Sequence, residues 1–447
     1  MKCGPETSRM LSLALISCFR LSVSAAPGDE YWDASFGVPG ASDGVSALAV
    51  IGSDLIVAGD FTSIGGTGAV RIARFDGTNW HPLGDGLLSS SIATVRSLAA
   101  FRGCLYAAGA FTQAGATPVQ NIARWDGTNW WPCGEGVSGS GLVIVRTMAV
   151  SGERLIVGGT FSVAGGLNMP NIAAWDGTNW TQLGSGIPGT AVDSIAASGT
   201  TIYAGGRFRL GGGINATNVA MWNGTAWLAL GEGIRDWDAG GGGGGIVRTL
   251  LASESALVAG GAFRLAGRTN AANIAQWDGS TWRSLREGID LAGDVYALGL
   301  NGTDLYVGGY FGAAGGVTAN NVAKWDGSVW RPLGSGTATG GGAGSARALA
   351  VLGSELVVGG TFTSAGGKAS SYIALWHIPH SLSMERTGNN VTLAWPATGT
   401  NFLLEATLDL GAPDWQGVSG TPGILNDQCV VTLAPGPGNQ FFRLRRR

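Results

Sequence analysis

Several residue types that build catalytic and nucleic-acid-binding sites are scarce in this 447-residue sequence. It contains three histidines and five cysteines, and charged residues make up only 13% of the chain. Three of its 27 basic residues are lysines, and the formal net charge is -3. A weakly acidic chain lacks the basic surface that a phosphate backbone requires, so we expect no nucleic-acid partner.

The shortage of histidine also argues against a metal centre. His377 and His380 lie close together in the sequence, but nothing near them supplies further ligands. There is no nucleophile elbow and no paired-carboxylate motif, and the run Gly240–Gly245 lacks the Lys-Ser/Thr of a phosphate loop. We therefore expect no metal, no cofactor and no enzymatic activity.

Long apolar runs are absent after residue 25, which argues against a transmembrane helix. Residues 1–25 predict a secretory signal, because Lys2 and Arg9 precede an apolar stretch that ends in Val23-Ser24-Ala25. Leu15-Ile16-Ser17-Cys18 also fits a lipoprotein cleavage box, with Cys18 as a lipid anchor. Both routes predict a secreted, extracellular or cell-envelope protein, and the choice between them stays open.

Glycine, by contrast, is abundant at 78 residues, and it recurs in register with a repeat of about 50 residues. In each of seven copies a small residue and a glycine precede an anchor phenylalanine, and an Ile/Val-Ala couplet starts eleven residues after it. The anchors are Phe61, Phe111, Phe161, Phe208, Phe263, Phe311 and Phe362. A period of this size with short strands and Gly-rich turns predicts a solenoid or propeller array.

Fixed spacings within the copies predict the strands of each unit. The third-strand aromatic and the fourth-strand tryptophan lie five residues apart, with an Asp-Gly or Asn-Gly hairpin turn between them, as in Asp126-Gly127. Only the connection from one copy to the next varies in length. Each copy is thus predicted to be a four-stranded antiparallel meander, and residues 26–380 an all-β, seven-bladed β-propeller.

Both ends of the repeat array carry a further prediction. The seventh copy lacks its fourth strand, while Trp32–Gly40 reads like one, so residues 31–40 are expected to complete the last blade. After the array, residues 381–447 show short strand-like runs separated by Pro and Gly, which predict a small C-terminal β-sandwich.

The double glycine after an apolar strand, followed by an aromatic-Asp-Gly turn and a tryptophan, resembles kelch-type propeller repeats. This Gly-rich version is similar to repeats of secreted bacterial propellers and of fungal cortical polarity-marker ectodomains. The C-terminal Phe441-Phe442-Arg443-Leu444 region resembles small fibronectin-III-like sandwiches. These resemblances imply a fold rather than one activity, because propellers carry unrelated functions.

One repeated position departs from the framework. Just inside the first strand the seven copies carry Ser46, Arg96, Arg146, Asp193, Arg248, Tyr296 and Arg347. Since the first strand of a propeller lines the channel, these side chains are expected to surround one channel mouth and to favour an anionic ligand. The alternative is that each arginine pairs with a carbonyl or carboxylate of a neighbouring blade.

The variable loops and the loops between second and third strands are expected on the face that carries this mouth. The longest variable loop contains Trp237, which suits either ligand stacking or filling a groove. We expect a monomeric binding propeller that engages a protein or extracellular polysaccharide through this face. A carbohydrate-active enzyme with its site at the mouth, and a purely structural envelope protein, are the alternatives.

Overall fold

The computed structural model describes residues 25–90, 93–236, 244–340, 344–379, 382–396, 402–411, 413–420, 422–425, 428–434 and 440–446. These residues form β-strands and a single 3-10 helix, Asp29–Tyr31. No described helix has the length and apolarity needed to cross a membrane. The predicted all-β class is confirmed.

Seven antiparallel sheets, here called blades 1 to 7, follow one another along the described chain. Their first strands are Val45–Ile51, Thr94–Phe101, Ile144–Ser151, Ala191–Ser198, Ile246–Ala252, Asp294–Asn301 and Ala346–Leu352. Their second strands are Asp54–Gly59, Cys104–Ala110, Arg154–Thr160, Thr201–Arg207, Leu257–Ala262, Asp304–Tyr310 and Glu355–Gly360. Their third strands are Ile72–Phe75, Ile122–Trp125, Ile172–Trp175, Val219–Trp222, Ile274–Trp277, Val322–Trp325 and Ile373–His377.

Blades 1 to 6 also have a short fourth strand on their outer edge. These strands are Trp80–Pro82, Trp130–Pro132, Trp180–Thr181, Trp227–Ala229, Trp282–Ser284 and Trp330–Pro332. Each first strand lies against the first strands of the blades before and after it, and that of blade 1 also lies against that of blade 7. The ring is therefore closed, and the predicted β-propeller is confirmed.

The N-terminal segment closes blade 7, but as a single bridge rather than as the strand predicted for residues 31–40. Trp32 pairs with Trp376, and the Asp33 N–H donates to the Leu375 carbonyl at 2.9 Å. The Asp33 carboxylate then accepts the N–H groups of Ser35 and Phe36, which interrupts the pairing. Further on, the Gly37 carbonyl accepts the Ser371 N–H and the Ala41 N–H donates to the Ser371 carbonyl, both at 3.0 Å. The prediction was right about the location and wrong about a continuous strand.

Tryptophans of the outer edge join blades 2 to 7 to the blade before them. In each of these six blades the indole Nε1 donates to a carbonyl of the preceding blade at 2.9 or 3.0 Å. The pairs are Trp130–Leu83, Trp180–Cys133, Trp227–Leu183, Trp282–Leu230, Trp330–Leu285 and Trp32–Leu333. Trp32 thus makes the same bond that the fourth-strand tryptophans make, which explains how one bridge suffices for closure.

Small hairpins between the second and third strands form a second layer on the variable-loop face. They are Ser63–Ile64/Thr67–Gly68, Gln113–Ala114/Thr117–Pro118, Val163–Ala164/Leu167–Asn168, Leu210–Gly211/Ile214–Asn215, Leu265–Ala266/Thr269–Asn270, Ala313–Ala314/Val317–Thr318 and Ser364–Ala365/Lys368–Ala369. Four of them pair with a short strand of the variable connection that precedes them. These strands are Leu87–Leu88, Val137–Ser138, Ile234–Arg235 and Thr337–Ala338. The two kinds of loop therefore share one face, as the meander predicts.

An asparagine, buried in four cases and half-buried at Asn121, anchors each of five variable connections. These asparagines, at positive φ, accept the N–H of the anchor phenylalanine and donate to a carbonyl of the following connection. They are Asn121, Asn171, Asn218, Asn273 and Asn321. In blade 1 Arg71 takes this position and reaches the carbonyls of Leu87 and Ala93 instead. Side-chain hydrogen bonds therefore hold the beginning of each of these variable loops in place.

The described residues after 381 form two further sheets. One contains Ser383–Thr387, Asn390–Pro396, Gln428–Leu433 and Gly423–Leu425, and the other contains Gln416–Gly417, Phe402–Thr407 and Phe441–Arg446. They share a core that includes Leu393, Trp395 and Leu404. The likeness of this C-terminal region to fibronectin-III sandwiches remains a prediction.

Candidate functional site at the channel mouth

The seven residues predicted for the channel mouth occupy one structural position, a β-bulge in the first strand of each blade. In blade 2, for example, Val95 pairs with Gly109 and Ser97 pairs with Ala108, which leaves Arg96 as the extra residue. The register is interrupted at the same place in the other six blades. A bulge redirects a side chain that regular pairing would place on the sheet face. Here it turns one residue per blade towards the channel.

The glycine opposite each bulge is what allows this backbone. A Cβ atom at Gly109 would lie 2.0 Å from the Thr94 carbonyl oxygen, and one at Gly159 would lie 2.1 Å from that of Ile144. Contacts this short are impossible for a real side chain, so only glycine fits. A glycine inside an apolar strand indicates a bulge or a close backbone approach. The glycine at this point of each second strand is therefore the sequence signal for the bulge.

All seven side chains line one cavity of about 390 Å³. Four of them are arginines and one is an aspartate, so the lining has an excess of positive charge. The structure thus brings together the predicted ring. Trp237, the other predicted ligand-binding residue, lies outside the described residues.

On one side of the mouth, acidic groups balance the arginines. The Asp193 carboxylate lies 3.4 Å from Arg146 Nε and 3.2 Å from Arg207 Nε, and its side chain is only 8% exposed. In blade 5, Arg248 Nε donates to Asp294 Oδ2 at 2.6 Å, and its guanidinium lies 5.5 Å from the centre of the Tyr296 ring. We call this side, from blade 3 to blade 6, the paired arc.

On the other side, across blades 7, 1 and 2, the arginines have no acidic partner among the residues that the structure describes. Arg347 Nε donates to the Ser345 hydroxyl at 3.2 Å, which is a neutral acceptor. Among the residues that the structure describes, Arg96 forms no hydrogen bond or ion pair. Both arginines are exposed, and the small side chain of Ser46 lies between them in the ring. We call Arg347, Ser46 and Arg96 the open arc.

Burial is the main cause of the pKa shifts at the mouth, and neighbouring arginines add to it at Arg146. Burial lowers the pKa of Arg146; Asp193 opposes this, while the nearby charges of Arg207, Arg96 and Arg248 lower it further. Burial also raises the pKa of the Asp294 carboxyl, although Arg248 acts in the opposite direction. Because burial and nearby arginines make the charged form of Arg146 less stable, an anion bound at the mouth would stabilise that charge.

Outside the mouth, several arginines of the variable-loop face are paired. Arg268 and Arg235 both contact Glu232, and Arg264 Nε lies 3.4 Å from Asp236. A neighbouring cavity of about 480 Å³ is lined by Arg207 and Arg209 next to the segment that includes Gly244. Arg235, Arg264 and Arg268 of the variable-loop face therefore already have acidic partners, whereas the described residues supply none to the open arc.

The repeated aspartates of the hairpin turns have a structural role. Asp76, Asp126, Asp176, Asp278 and Asp326 each accept the backbone N–H groups two and three residues later, which lowers their pKa. Asn223 forms the same bonds in blade 4 without a charge. No cluster of three or more His, Cys, Asp or Glu that could hold a metal occurs among the described residues.

A cavity of about 630 Å³ between blades 1 and 2 is a further concave site. Its polar groups are already engaged: Arg74 contacts Asp54 at 2.8 Å and His81 contacts Asp76 at 2.6 Å, while Asp126 accepts its own turn's N–H groups and the Trp131 indole. His377, the other described histidine, contacts Glu355 and lies 3.5 Å from Asp33. His380 lies outside the described residues.

Together, the fold and the site define a β-propeller with an arginine-rich channel mouth. A family described as a domain of unknown function (DUF5122) beta-propeller matches residues 54–78, which lie in blade 1. No curated protein matches the chain. Among solved structures, the WD40 beta propeller domain of Doa1 is 12% identical with a TM-score of 0.45, over 75% of this chain and 93% of that chain.

Proposed function

We propose that this protein is a secreted or surface-attached binding propeller without enzymatic activity. Its open arc would hold an anionic group of a partner protein or of an extracellular polysaccharide. The observation that carries the proposal is a pair of exposed arginines, Arg96 and Arg347, which have no acidic partner within the described part of the chain and lie on either side of Ser46 in one cavity. The expected kelch-like repeat, monomeric state and export, or lipid anchoring through Cys18, belong to the same proposal.

Physical reasons favour the open arc over the paired arc as the binding subsite. A guanidinium that already contacts a carboxylate would have to give up that bond to a ligand, whereas a free guanidinium binds without such a loss. Arginine also presents a planar set of donors that matches carboxylate and sulfate groups. We therefore infer that a carboxylate or sulfate group enters between Arg96 and Arg347.

The experiment is a titration of the purified protein with an acidic oligosaccharide, an acidic peptide and a neutral oligosaccharide of equal length. Replacing Arg96 and Arg347 together by Ser, the residue that blade 1 carries, should weaken binding of the acidic ligand. Loss of one anchoring side chain typically costs about 2 kcal/mol, or about 30-fold in Kd. Rising salt should weaken binding in the parent protein more than in the variant.

The matched control is Arg154→Ser, because Arg154 is an exposed arginine at the start of a second strand, away from the mouth. This variant should bind like the parent. Equal binding by the parent and the double variant, or an equal loss in the control, would contradict the proposal.

An enzyme at the mouth is the second candidate, and the two carboxylates of the paired arc are the observation in its favour. Asp193 contacts two arginines, whereas burial raises the pKa of Asp294, and unequal carboxyl pairs of this kind catalyse glycoside hydrolysis. However, Asp294 is not among the residues that line the mouth cavity and is bonded to Arg248. Turnover of a glycan that Asp193→Asn abolishes would favour the enzyme.

A further inference from the structure

The chain enters the propeller through a short turn that contains a buried carboxylate. Ala25 is exposed, Ala26 is half-buried, and Asp29 is 4% exposed. The Asp29 N–H donates to the Ala26 carbonyl at 3.0 Å, and the Ala26 N–H donates to Asp29 Oδ2, also at 3.0 Å. Residue 26 is therefore held to Asp29 through both of its backbone polar groups.

The donors to the Asp29 carboxylate that the structure shows are neutral. Oδ1 accepts the Ser335 N–H at 2.6 Å and the Ser335 hydroxyl at 2.9 Å, and Oδ2 accepts the Ala26 amide. A buried carboxylate is most stable when a cation compensates its charge. Lys368 is the nearby cation, but its Nζ donates to the backbone carbonyls of Asp29 and Trp32.

We propose that a signal peptidase cleaves between Ala25 and Ala26, and that the new N-terminal ammonium of Ala26 forms an ion pair with Asp29. Water hydrolyses the Ala25–Ala26 peptide bond; Ala25 leaves as the carboxylate end of the leader, and the Ala26 amine takes up a proton. The ammonium would occupy the position of the present amide, 3.0 Å from Asp29 Oδ2. The proposal rests on the export proposed above and is independent of ligand binding at the mouth.

The sequence around the bond supports this inference. Val23 and Ala25 are the small residues that the peptidase requires before the cleaved bond. From Ala26 to Val70 the chain contains six acidic residues and no Lys, Arg or His, so the ammonium would be the one cation in that stretch. Glu30 also faces the turn, because its carboxylate accepts the Gly28 N–H at 2.9 Å.

Formation of the ion pair would strengthen the closure of the ring. Asp29 lies three residues before Trp32, whose pairing with Trp376 and bond to the Leu333 carbonyl complete blade 7. Ser335, the other Asp29 partner, lies two residues after Leu333 in blade 6. The carboxylate therefore links the N-terminus to both blades, and leader removal would tighten that link.

The first test is the N-terminal residue of the full chain after production in an exporting bacterium, which should be Ala26. The second test compares the processed protein with the same protein acetylated on its α-amine, by hydrogen exchange of the segment from Asp29 to Phe36. Loss of the ion pair should speed exchange about 5- to 30-fold, the change in an opening equilibrium for one or two kcal/mol. Exchange in blade 3 is the internal control and should not change.

Asp29→Asn tests the partner, because it removes the charge while its one amide oxygen can still accept the two Ser335 bonds. In this variant, hydrogen exchange of the segment from Asp29 to Phe36 should be fast even with a free amine, and acetylation should not speed it further. A free α-amine has a pKa of about 7.7–8.0 in an unfolded chain, and pairing with Asp29 raises it. The extra protection should be complete below that pKa and disappear as the pH rises through the raised value.

The other charged groups around the amine, Glu30 and Lys368, with Asp33 and His377 nearby, are the same in both proteins, so the comparison isolates the ammonium and its Asp29 partner. A different N-terminus, including an acylated Cys18, would overturn the proposal. So would equal exchange in the free and acetylated proteins. Neither result would alter the test at the open arc.

Discussion

The outer rim and the channel mouth of the propeller use the same repeat in opposite ways. At the rim, the fourth-strand position is tryptophan in six blades and is supplied by Trp32 in the seventh, with the same indole-to-carbonyl bond in six of these cases. At the mouth, the bulge backbone is repeated seven times, but its side chain is Ser, Arg, Asp or Tyr. At the rim, where the side chain packs between blades, the residue type is the same in every blade. At the mouth, where the side chain points into the channel, the residue type differs between blades.

The largest expected effect tests the rim. Trp227→Ala removes an indole that is 3% exposed and bonded to the Leu183 carbonyl, and it leaves a cavity between blades 4 and 3. Such a truncation typically costs about 3–5 kcal/mol. Urea unfolding followed by circular dichroism should show a clearly lowered midpoint.

Trp131→Ala is the matched control, because Trp131 lies next to the rim position in blade 2 but is 45% exposed. It should change the free energy of unfolding by much less. Similar losses in the two variants would mean that rim burial is not what holds neighbouring blades together.

The rim could be predicted from the sequence because its determinants are local. A tryptophan five residues after an aromatic, with Asp-Gly between them, already specifies a hairpin and its edge. The closing segment was located for the same reason, since Trp32 has the neighbours of a fourth strand. A continuous strand does not form because the Asp33 carboxylate accepts the N–H groups of Ser35 and Phe36 and interrupts the pairing, which resumes only as isolated bonds of Gly37 and Ala41 to Ser371.

The mouth was predicted only in part, because its contacts join residues that are distant in the sequence. Arg248 and Asp294 are 46 positions apart and belong to different blades, so no local pattern reveals that one neutralises the other. The sequence showed which residues share the bulge position, but not that Arg96 and Arg347 would lack acidic partners. Which arginines have an acidic partner depends on the side chains that the closed ring brings next to them from neighbouring blades.

A smaller effect is expected between rim and mouth, at the asparagines that anchor the variable connections. Asn218→Gly keeps the positive φ of 62° but removes the bonds to the Phe208 N–H and the Ile234 carbonyl. Because both partners are buried, we expect a loss of about 1–3 kcal/mol in the free energy of unfolding.

Asn218→Ala separates the two contributions of this residue. It loses the same bonds and in addition holds alanine in the left-handed region, which costs roughly 1–2 kcal/mol more. Equal stability of the Gly variant and the parent would show that the backbone conformation alone, and not the side-chain bonds, fixes the start of the loop.

The smallest effect is expected at the mouth itself, where two identical substitutions separate the paired arc from the open arc. Arg347→Ser removes a guanidinium whose contact is to a neutral hydroxyl, so stability should stay within about 0.5 kcal/mol of the parent. Arg248→Ser removes the partner of the Asp294 carboxylate, whose side chain is 14% exposed, and should cost about 1 kcal/mol at neutral pH.

The pH dependence of this difference follows from the Asp294 pKa. Burial raises it in the folded protein, and loss of Arg248 would raise it further, because that guanidinium favours the charged form. An acid whose pKa is raised in the folded protein destabilises the fold when it is ionised. The loss of stability in Arg248→Ser should therefore appear as the pH rises above the pKa of Asp in the unfolded chain, about 3.9, and shrink below it. Thermal unfolding of both variants between pH 3.5 and 7 measures this. Two results would contradict the division of the mouth into two arcs. One is that Arg347→Ser destabilises the protein as much as Arg248→Ser, which would make the arginines of the open arc structural as well. The other is that the loss of stability in Arg248→Ser is the same at both ends of this pH range.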